Sequence, residues 1–247
     1  MLKKRIILCL TFLDGVLFRT KLFKPDYRYT KNFIDMWSID EIVLIDITEK
    51  KFSDHFIDTI KFFSSECFVP LTIGGGIKKL SDADKLFKIG ADKVLLGSHS
   101  IKDIELINKI SHKYGNQAII QSLDCKKNLD NDDWSLMVNS GQNKHNNDII
   151  NIAQKLTDAG AGEILINSID NDGSLLGYDI SLIKKISKNL DCPVIALGGG
   201  GNWSHMLELF KTTDISGACT QNIFHFTEES ILSAKNYLKE NGINIRT

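Results

Sequence analysis

Short, continuously apolar runs recur along the chain, at 6–10, 42–47, 68–73, 93–96, 118–123, 164–167, 193–197 and 215–220. Runs this short with no polar alternation suit strands buried on both faces, which means a parallel sheet. Between most of them lie stretches with helical apolar spacing, at 54–65, 80–89, 104–114, 148–159, 180–190 and 203–211. Eight strands alternating with helices, with no linker between them, predict one (βα)8 barrel domain over 1–247, a TIM barrel. A doubly wound open sheet would need a phosphate fingerprint after its first strand, and LTFLDG is not one.

The chain also repeats itself. PLTIGGG (70–76) is matched by PVIALGGG (193–200), DEIVLID (40–46) by GEILINS (162–168), and RIILCLT (5–11) by QAIIQSLD (117–124). Each pair is separated by nearly half the chain. Two similar half-barrels of four βα units explain this, with loop lengths absorbing the small offsets.

Composition narrows the function classes. At 247 residues, 43% hydrophobic and 25% charged, the chain has enough apolar material for one large core. Its net charge of −1 gives no strong field for nucleic acid or an anionic membrane surface, so neither is expected as a partner. The five cysteines form no CxxC pair, and no Cys/His cluster has metal-ligand spacing. Buried free thiols in a reducing compartment are the reading. The opening MLKKRIILCLTFLDG imitates a signal peptide, but its apolar stretch stops at Asp14, so it reads as a first buried strand. No run approaches the roughly 18 apolar residues of a membrane span. The expected location is the cytoplasm.

Four charges stand out against this pattern. Arg5, Glu41, Lys93 and Glu163 each begin an apolar run. In a closed parallel barrel they share one mouth, where two positive and two negative groups can pair across the axis. Such a ring implies a gate for something small.

The opposite mouth carries the other candidate chemistry. Gly74–Gly76 follow the third run and Gly198–Gly201 the seventh. Glycine lets backbone N–H groups approach an anion closely, and two such loops half a barrel apart imply a ligand phosphorylated at both ends. Asp46, Asp124, Asp170 and Asp172 lie at or just beyond strand ends, where a general acid or base belongs. An Asx-turn is the alternative for Asp170 and Asp172, since Asp-Gly is a turn dipeptide. His225 reads as a packed residue. The polar insert 125–147 carries an alternating Trp134, Leu136 and Val138, as a β-ribbon would.

MLKKRII, DGV, LIDIT, PLTIGGGI, GADKVLLGS, YGNQAII, GAGEILINSIDNDGSLLGYD, PVIALGGGG and NIFHF together resemble the cyclase subunit of imidazole glycerol phosphate synthase, end to end. The resemblance implies docking of a class I glutamine amidotransferase on the N-terminal face of the barrel. It implies ammonia passing a charged gate at Arg5, Glu41, Lys93 and Glu163, and reaction with a bisphosphorylated ribonucleotide at the other mouth. It implies no metal and no organic cofactor. Carried over position by position, it makes Asp92 and Gln117 partner-facing, Asp124 the general acid/base, and Asp172 a second catalytic aspartate. Phosphate and substrate contacts fall on Arg19, Gly76, Gly97, Ser98, Gly173, Gly199, Gly200, Gln221 and Asn222.

Departures from the family pattern gather at the substrate mouth. Thr11 stands where the family has its other essential aspartate, and Arg19 where it has a loop lysine. Gly97 replaces an asparagine, Leu197 a serine, Asn222 a serine and Asn167 a threonine. A threonine hydroxyl is no acid or base near neutral pH without help. The pattern therefore favours an ammonia-channelling partner of a glutaminase with a divergent acceptor, such as acetamidino-sugar synthesis through a third amidotransferase protein. A true cyclase using Asp170, Asp172 or a Thr11-bound water is the alternative. A sugar-phosphate isomerase also needs an aspartate at 11, and a bare scaffold would not bury four charges.

Overall fold

The computed structural model describes residues 3–28, 38–49, 51–128, 130–131, 133–221 and 231–246. Eight parallel strands close on themselves: β1 (Arg5–Leu13), β4 (Glu41–Asp46), β5 (Leu71–Gly74), β6 (Lys93–Leu96), β7 (Ile119–Lys127), β10 (Glu163–Ser168), β11 (Val194–Leu197) and β12 (Gly217–Thr220). β12 pairs back onto β1, and β10 pairs with β7, so no edge is left open. The predicted barrel is what forms.

Two antiparallel ribbons extend from the ends of corresponding strands. β2 (Val16–Lys21) and β3 (Lys24–Arg28) follow β1, while β8 (Trp134–Val138) and β9 (Asn143–Lys144) follow β7. β1 and β7 open the two half-barrels, so the ribbons repeat the internal duplication. The first was not expected from sequence, because its apolar alternation breaks at KPDYR.

Helices fill the outside: α1 (Asp54–Glu66), α2 (Leu80–Lys88), α3 (Ser98–Lys102), α4 (Glu105–Tyr114), α5 (Ile149–Asp158), α6 (Ile180–Ser187), α7 (Trp203–Thr212) and α8 (Ile231–Glu240). Local chemistry starts several of them. Ser53, Asp148, Asp179 and Asn202 each accept a backbone N–H from the first turn of α1, α5, α6 and α7. α1 then buries Phe56, Thr59, Ile60 and Phe63 as one stripe, and Phe56 and Phe63 meet Phe12 of β1 at ring distances of 6.0 and 6.3 Å. The third apolar run begins later than its composition implied. Phe68 is 85% exposed and the strand starts at Leu71.

Strand parity divides the apolar residues into two cores. Ile6, Leu8 and Leu10 face the helices, while Ile7 and Cys9 face the lumen with Val43, Leu95, Ile120, Leu165, Ile195 and Cys219. One buried ion pair ties the last helix to the barrel. Lys235 Nζ of α8 donates to Asp40 Oδ1 at 2.7 Å, and Asp40 Oδ2 accepts the Ile6 N–H at 2.7 Å. Removing the lysine leaves a buried carboxylate short of its partner. Lys235→Met is expected to cost about 3 kcal/mol in urea unfolding. Adding Asp40→Asn to it should recover a large part, and a loss below about 1 kcal/mol would show the pair to be dispensable.

Candidate functional site

The four strand-start charges meet at the barrel floor as a closed ring. Arg5 Nη1 donates to Glu41 Oε1 at 2.6 Å and Arg5 Nη2 to Glu163 Oε2 at 2.5 Å. Lys93 Nζ completes the circuit to Glu41 Oε2 at 3.2 Å and Glu163 Oε1 at 2.5 Å. Each carboxylate thus bridges both cations. Burial works against the Arg5 charge, but the hydrogen bond and charge of Glu163, with those of Glu41, outweigh it and hold the guanidinium ionised. Burial likewise opposes the Glu163 carboxylate, and Arg5 followed by Lys93 overcomes this, so its pKa is lowered. The stability that Glu163 supplies is present above its ordinary value of 4.5 and is lost as the pH falls below it. Two further groups join the ring that sequence did not mark: Ser216, accepting from Arg5 Nη2 at 2.9 Å, and Arg246, 3.8 Å from Glu41.

Asp92 and Gln117 are both exposed on this same end, beside Lys93 and just before β7. Asp92 Oδ2 accepts the Leu71 N–H at 2.8 Å. Gln117 lines a groove of about 740 Å³ with Asn116, Gln154, Asp158, Asn189 and Cys192.

Above the ring the lumen is apolar. Burial there pushes the Cys9 thiol up to about 12 and Cys219 well above its usual range. Two oxygens interrupt it. Thr72 Oγ1 and Asn167 Oδ1 are buried with no hydrogen-bond partner among the described residues.

At the upper mouth Asp124 accepts from Ser122 Oγ and from Asn167 Nδ2, each at 3.3 Å. Burial pushes its carboxyl up to about 6; the nearby Asp172 charge adds to this, while the Asn167 and Ser122 hydrogen bonds oppose it. That value suits a proton-transfer group near neutral pH. Thr11 is buried at the same end of β1, in register with Ile45 of β4 and Phe18 of β2. Asp46 does not face the lumen. It lies on the outward parity of β4 with Ile42 and Leu44, and its Oδ1 accepts the Thr48 N–H at 2.9 Å. Asp170 Oδ2 holds the Lys127 N–H at 2.7 Å, which makes it a loop tie.

The expected phosphate residues form two groups. Gly173, Gly199, Gly200 and Gln221 line one cleft with Arg19, Thr20 and Asp172. Gly199 adopts φ +94°, and a β-carbon there would lie 2.0 Å from the Gly177 carbonyl oxygen, so no other residue fits. Gly76, Gly97 and Ser98 follow β5 and β6. A β-carbon on Gly97 would meet nothing within 4 Å, so there is open room at this position. Ser98 Oγ accepts the Asn139 N–H of the second ribbon at 2.8 Å. Asn222 and His225 lie outside the described residues.

This fold agrees with what sequence comparison shows. The family described as histidine biosynthesis protein matches residues 9–230. Over the full length of both chains, identity is 42% to the imidazole glycerol phosphate synthase subunit HisF of Hydrogenobaculum sp. strain Y04AAS1. It is 37% to that of Clostridium botulinum strain Okra and 34% to that of Streptococcus mutans serotype c, again over all of each chain. This chain is a HisF-family protein. Sequence alone did not reveal how the first ribbon of this HisF-family barrel is held, because its partners lie some 150 positions away. Thr20 Oγ1 donates to Asp172 Oδ1 at 3.0 Å and Phe23 N–H to Asp172 Oδ2 at 2.9 Å. Burial raises the Asp172 pKa against these two bonds.

Asp124 gives this site a pH signature. The folded state binds its proton more tightly than the unfolded chain, so its contribution to stability falls as the pH rises from about 4 through about 6. Carboxyl-carbon NMR should find a midpoint near 6. Asp124→Asn should gain on the unsubstituted protein by on the order of 2 kcal/mol between pH 4 and pH 8. A midpoint near 4 would remove Asp124 as the proton-transfer group.

Proposed function

We propose that this protein docks a class I glutamine amidotransferase on its N-terminal face and conducts the released ammonia through the barrel to an acceptor at the opposite mouth. The observation that carries this reading is the ring of Arg5, Glu41, Lys93 and Glu163. Replacing buried ion pairs with packed apolar residues is often neutral or stabilising, so three buried charges and a fourth, partly buried at Lys93, call for a use. Were the ring to open, it would lead into an apolar lumen. Charged ammonium pays a large desolvation cost there, while neutral ammonia does not. Thr72 Oγ1 and Asn167 Oδ1 offer hydrogen-bond acceptors along the route, the second next to Asp124.

The acceptor differs from the histidine-pathway ribonucleotide in this proposal. HisF relatives carry the name imidazole glycerol phosphate synthase subunit. Cyclisation of that kind calls for two acid/base groups, and Thr11 removes one, which typically costs 10²–10⁴-fold. Gly97 and Leu197 alter the substrate contacts as well. An acetamidino sugar, made with a third amidotransferase protein, is an acceptor of suitable chemistry. The second reading, a genuine cyclase, is favoured by the Asp124 carboxyl near 6.

Purified protein supplied with ammonium salt and the bisphosphorylated ribonucleotide should show at most trace cyclisation, while stimulating glutaminase activity in its partner. Cyclisation at an ordinary enzymatic rate would decide for the second reading. Thr11→Asp alone should not restore full turnover, because Gly97 and Leu197 remain. Asp92→Ala should weaken glutaminase binding by about ten-fold or more. Unchanged binding after that substitution, or no binding by the unsubstituted protein, counts against docking on this face.

A further inference from the structure

The ribbon β2–β3 lies over the upper mouth as a roof, and its attachment is specific. Three bonds join its turn to one residue: Thr20 Oγ1 to Asp172 Oδ1 at 3.0 Å, Phe23 N–H to Asp172 Oδ2 at 2.9 Å, and Leu22 N–H to the Asp172 carbonyl at 3.3 Å. Gly173 makes room for this contact. At φ +69° a β-carbon there would stand 2.4 Å from the Thr20 carbonyl oxygen and 2.9 Å from Lys21 Cα. Elsewhere Gln221 Nε2 donates to the Phe18 carbonyl at 2.6 Å, and a β-carbon on Gly141, in the turn of the second ribbon, would lie 3.3 Å from the Phe23 ring. The two ribbons therefore meet across the opening.

The turn is also strained. Leu22 and Phe23 hold φ of 51° and 63°, a region that side-chain-bearing residues rarely adopt. Such residues persist only where their surroundings over-determine them. The bonds to Asp172 do so here. A carboxylate with each oxygen engaged by a donor, one of them a backbone N–H of the roof, is poorly placed to move protons for a ligand.

We infer that Asp172 is a positioning residue, a latch that holds the ribbon shut and keeps Arg19 above the Gly198–Gly200 loop, so that a phosphate monoester bound there is clamped from above. Arg19 lines the same cleft as Gly173, Gly198 and Gly200, and it is paired with Asp26 across the ribbon. Its height over the glycines thus follows the position of the whole ribbon. Thr20 supplies the only side-chain donor of the three, and it is the part that substitution can remove cleanly. The inference rests on the reading of that glycine loop as a phosphate site.

Thr20→Val in the full-length protein keeps the shape and deletes the hydroxyl. Without ligand, amide hydrogen exchange over 16–28 is expected to quicken about ten-fold, the loss of one hydrogen bond to a charged group. Inorganic phosphate, followed through the amide NMR shifts of Gly199 and Gly200, should bind about ten-fold more weakly. Binding read at Gly75 and Gly76 should not change, and Thr20→Ser should restore both quantities. Exchange and affinity both at the unsubstituted level in Thr20→Val would overturn the latch. Quickened exchange with no phosphate affinity in the unsubstituted protein would keep the latch but overturn the clamp, and the phosphate reading with it.

Discussion

Arg5, Glu41, Lys93 and Glu163 lie on four different strands, yet their head groups close into one circuit at the axis. This fixes which side chains of those strands point inward. With Arg5 inward, Ile7, Cys9 and Thr11 follow; with Glu41 inward, Val43 and Ile45; with Lys93 inward, Leu95 and Gly97; with Glu163 inward, Leu165 and Asn167. A slip of one residue in any of these strands would turn a buried charge toward the apolar helix layer and break the circuit. The floor therefore sets the register by which the mouth receives its residues, Thr11, Gly97 and Asn167 among them. Arginine and lysine are long enough to bridge two carboxylates near the axis, which is why the ring needs no water to complete it.

Much of this was legible in the sequence because it is local or periodic. Continuous apolar runs mark strands buried on both faces, and charges at their starts mark the floor once closure is assumed. The duplicated glycine triplets and the offset repeats point to two half-barrels. What was not legible depends on contacts between distant residues. Thr20 and Asp172 are 152 positions apart, and Lys235 and Asp40 are 195 apart. Neither pair carries a local signal. α8 was missed because Lys235 interrupts its apolar spacing, although the structure buries that lysine on an ion pair. Asp46 looked like a mouth carboxylate by position, and only strand parity sends it outward. Phe68 looked like core by composition and is surface.

The two ends of the barrel differ in how their polar groups are satisfied. At the floor Arg5, Glu41, Lys93 and Glu163 each have two opposite partners within hydrogen-bonding distance. Along the lumen and at the mouth, Thr72 Oγ1 and Asn167 Oδ1 are buried without a partner among the described residues, and Gly97 leaves open space. An unsatisfied buried oxygen costs stability on the order of 1–3 kcal/mol, so such groups are expected where something else binds. In the proposed reading, the satisfied end is a closed door and the unsatisfied path the route behind it.

The state of the carboxylates at the mouth bears on what the proposed delivery of a nitrogen donor would meet there. Asp124, near 6, is poised to give or take one proton at neutral pH. Thr11 cannot match it from β1, and Asp172 has both oxygens engaged by the roof. One mobile proton suffices for handing ammonia on in its neutral form, or for a single addition step. Ring closure with carbon–nitrogen bond cleavage asks for more than one group to trade protons in sequence. Fully paired charges at one end, an apolar lumen and a single raised carboxyl at the other are the features on which the proposed delivery of ammonia, rather than the complete cyclisation, rests.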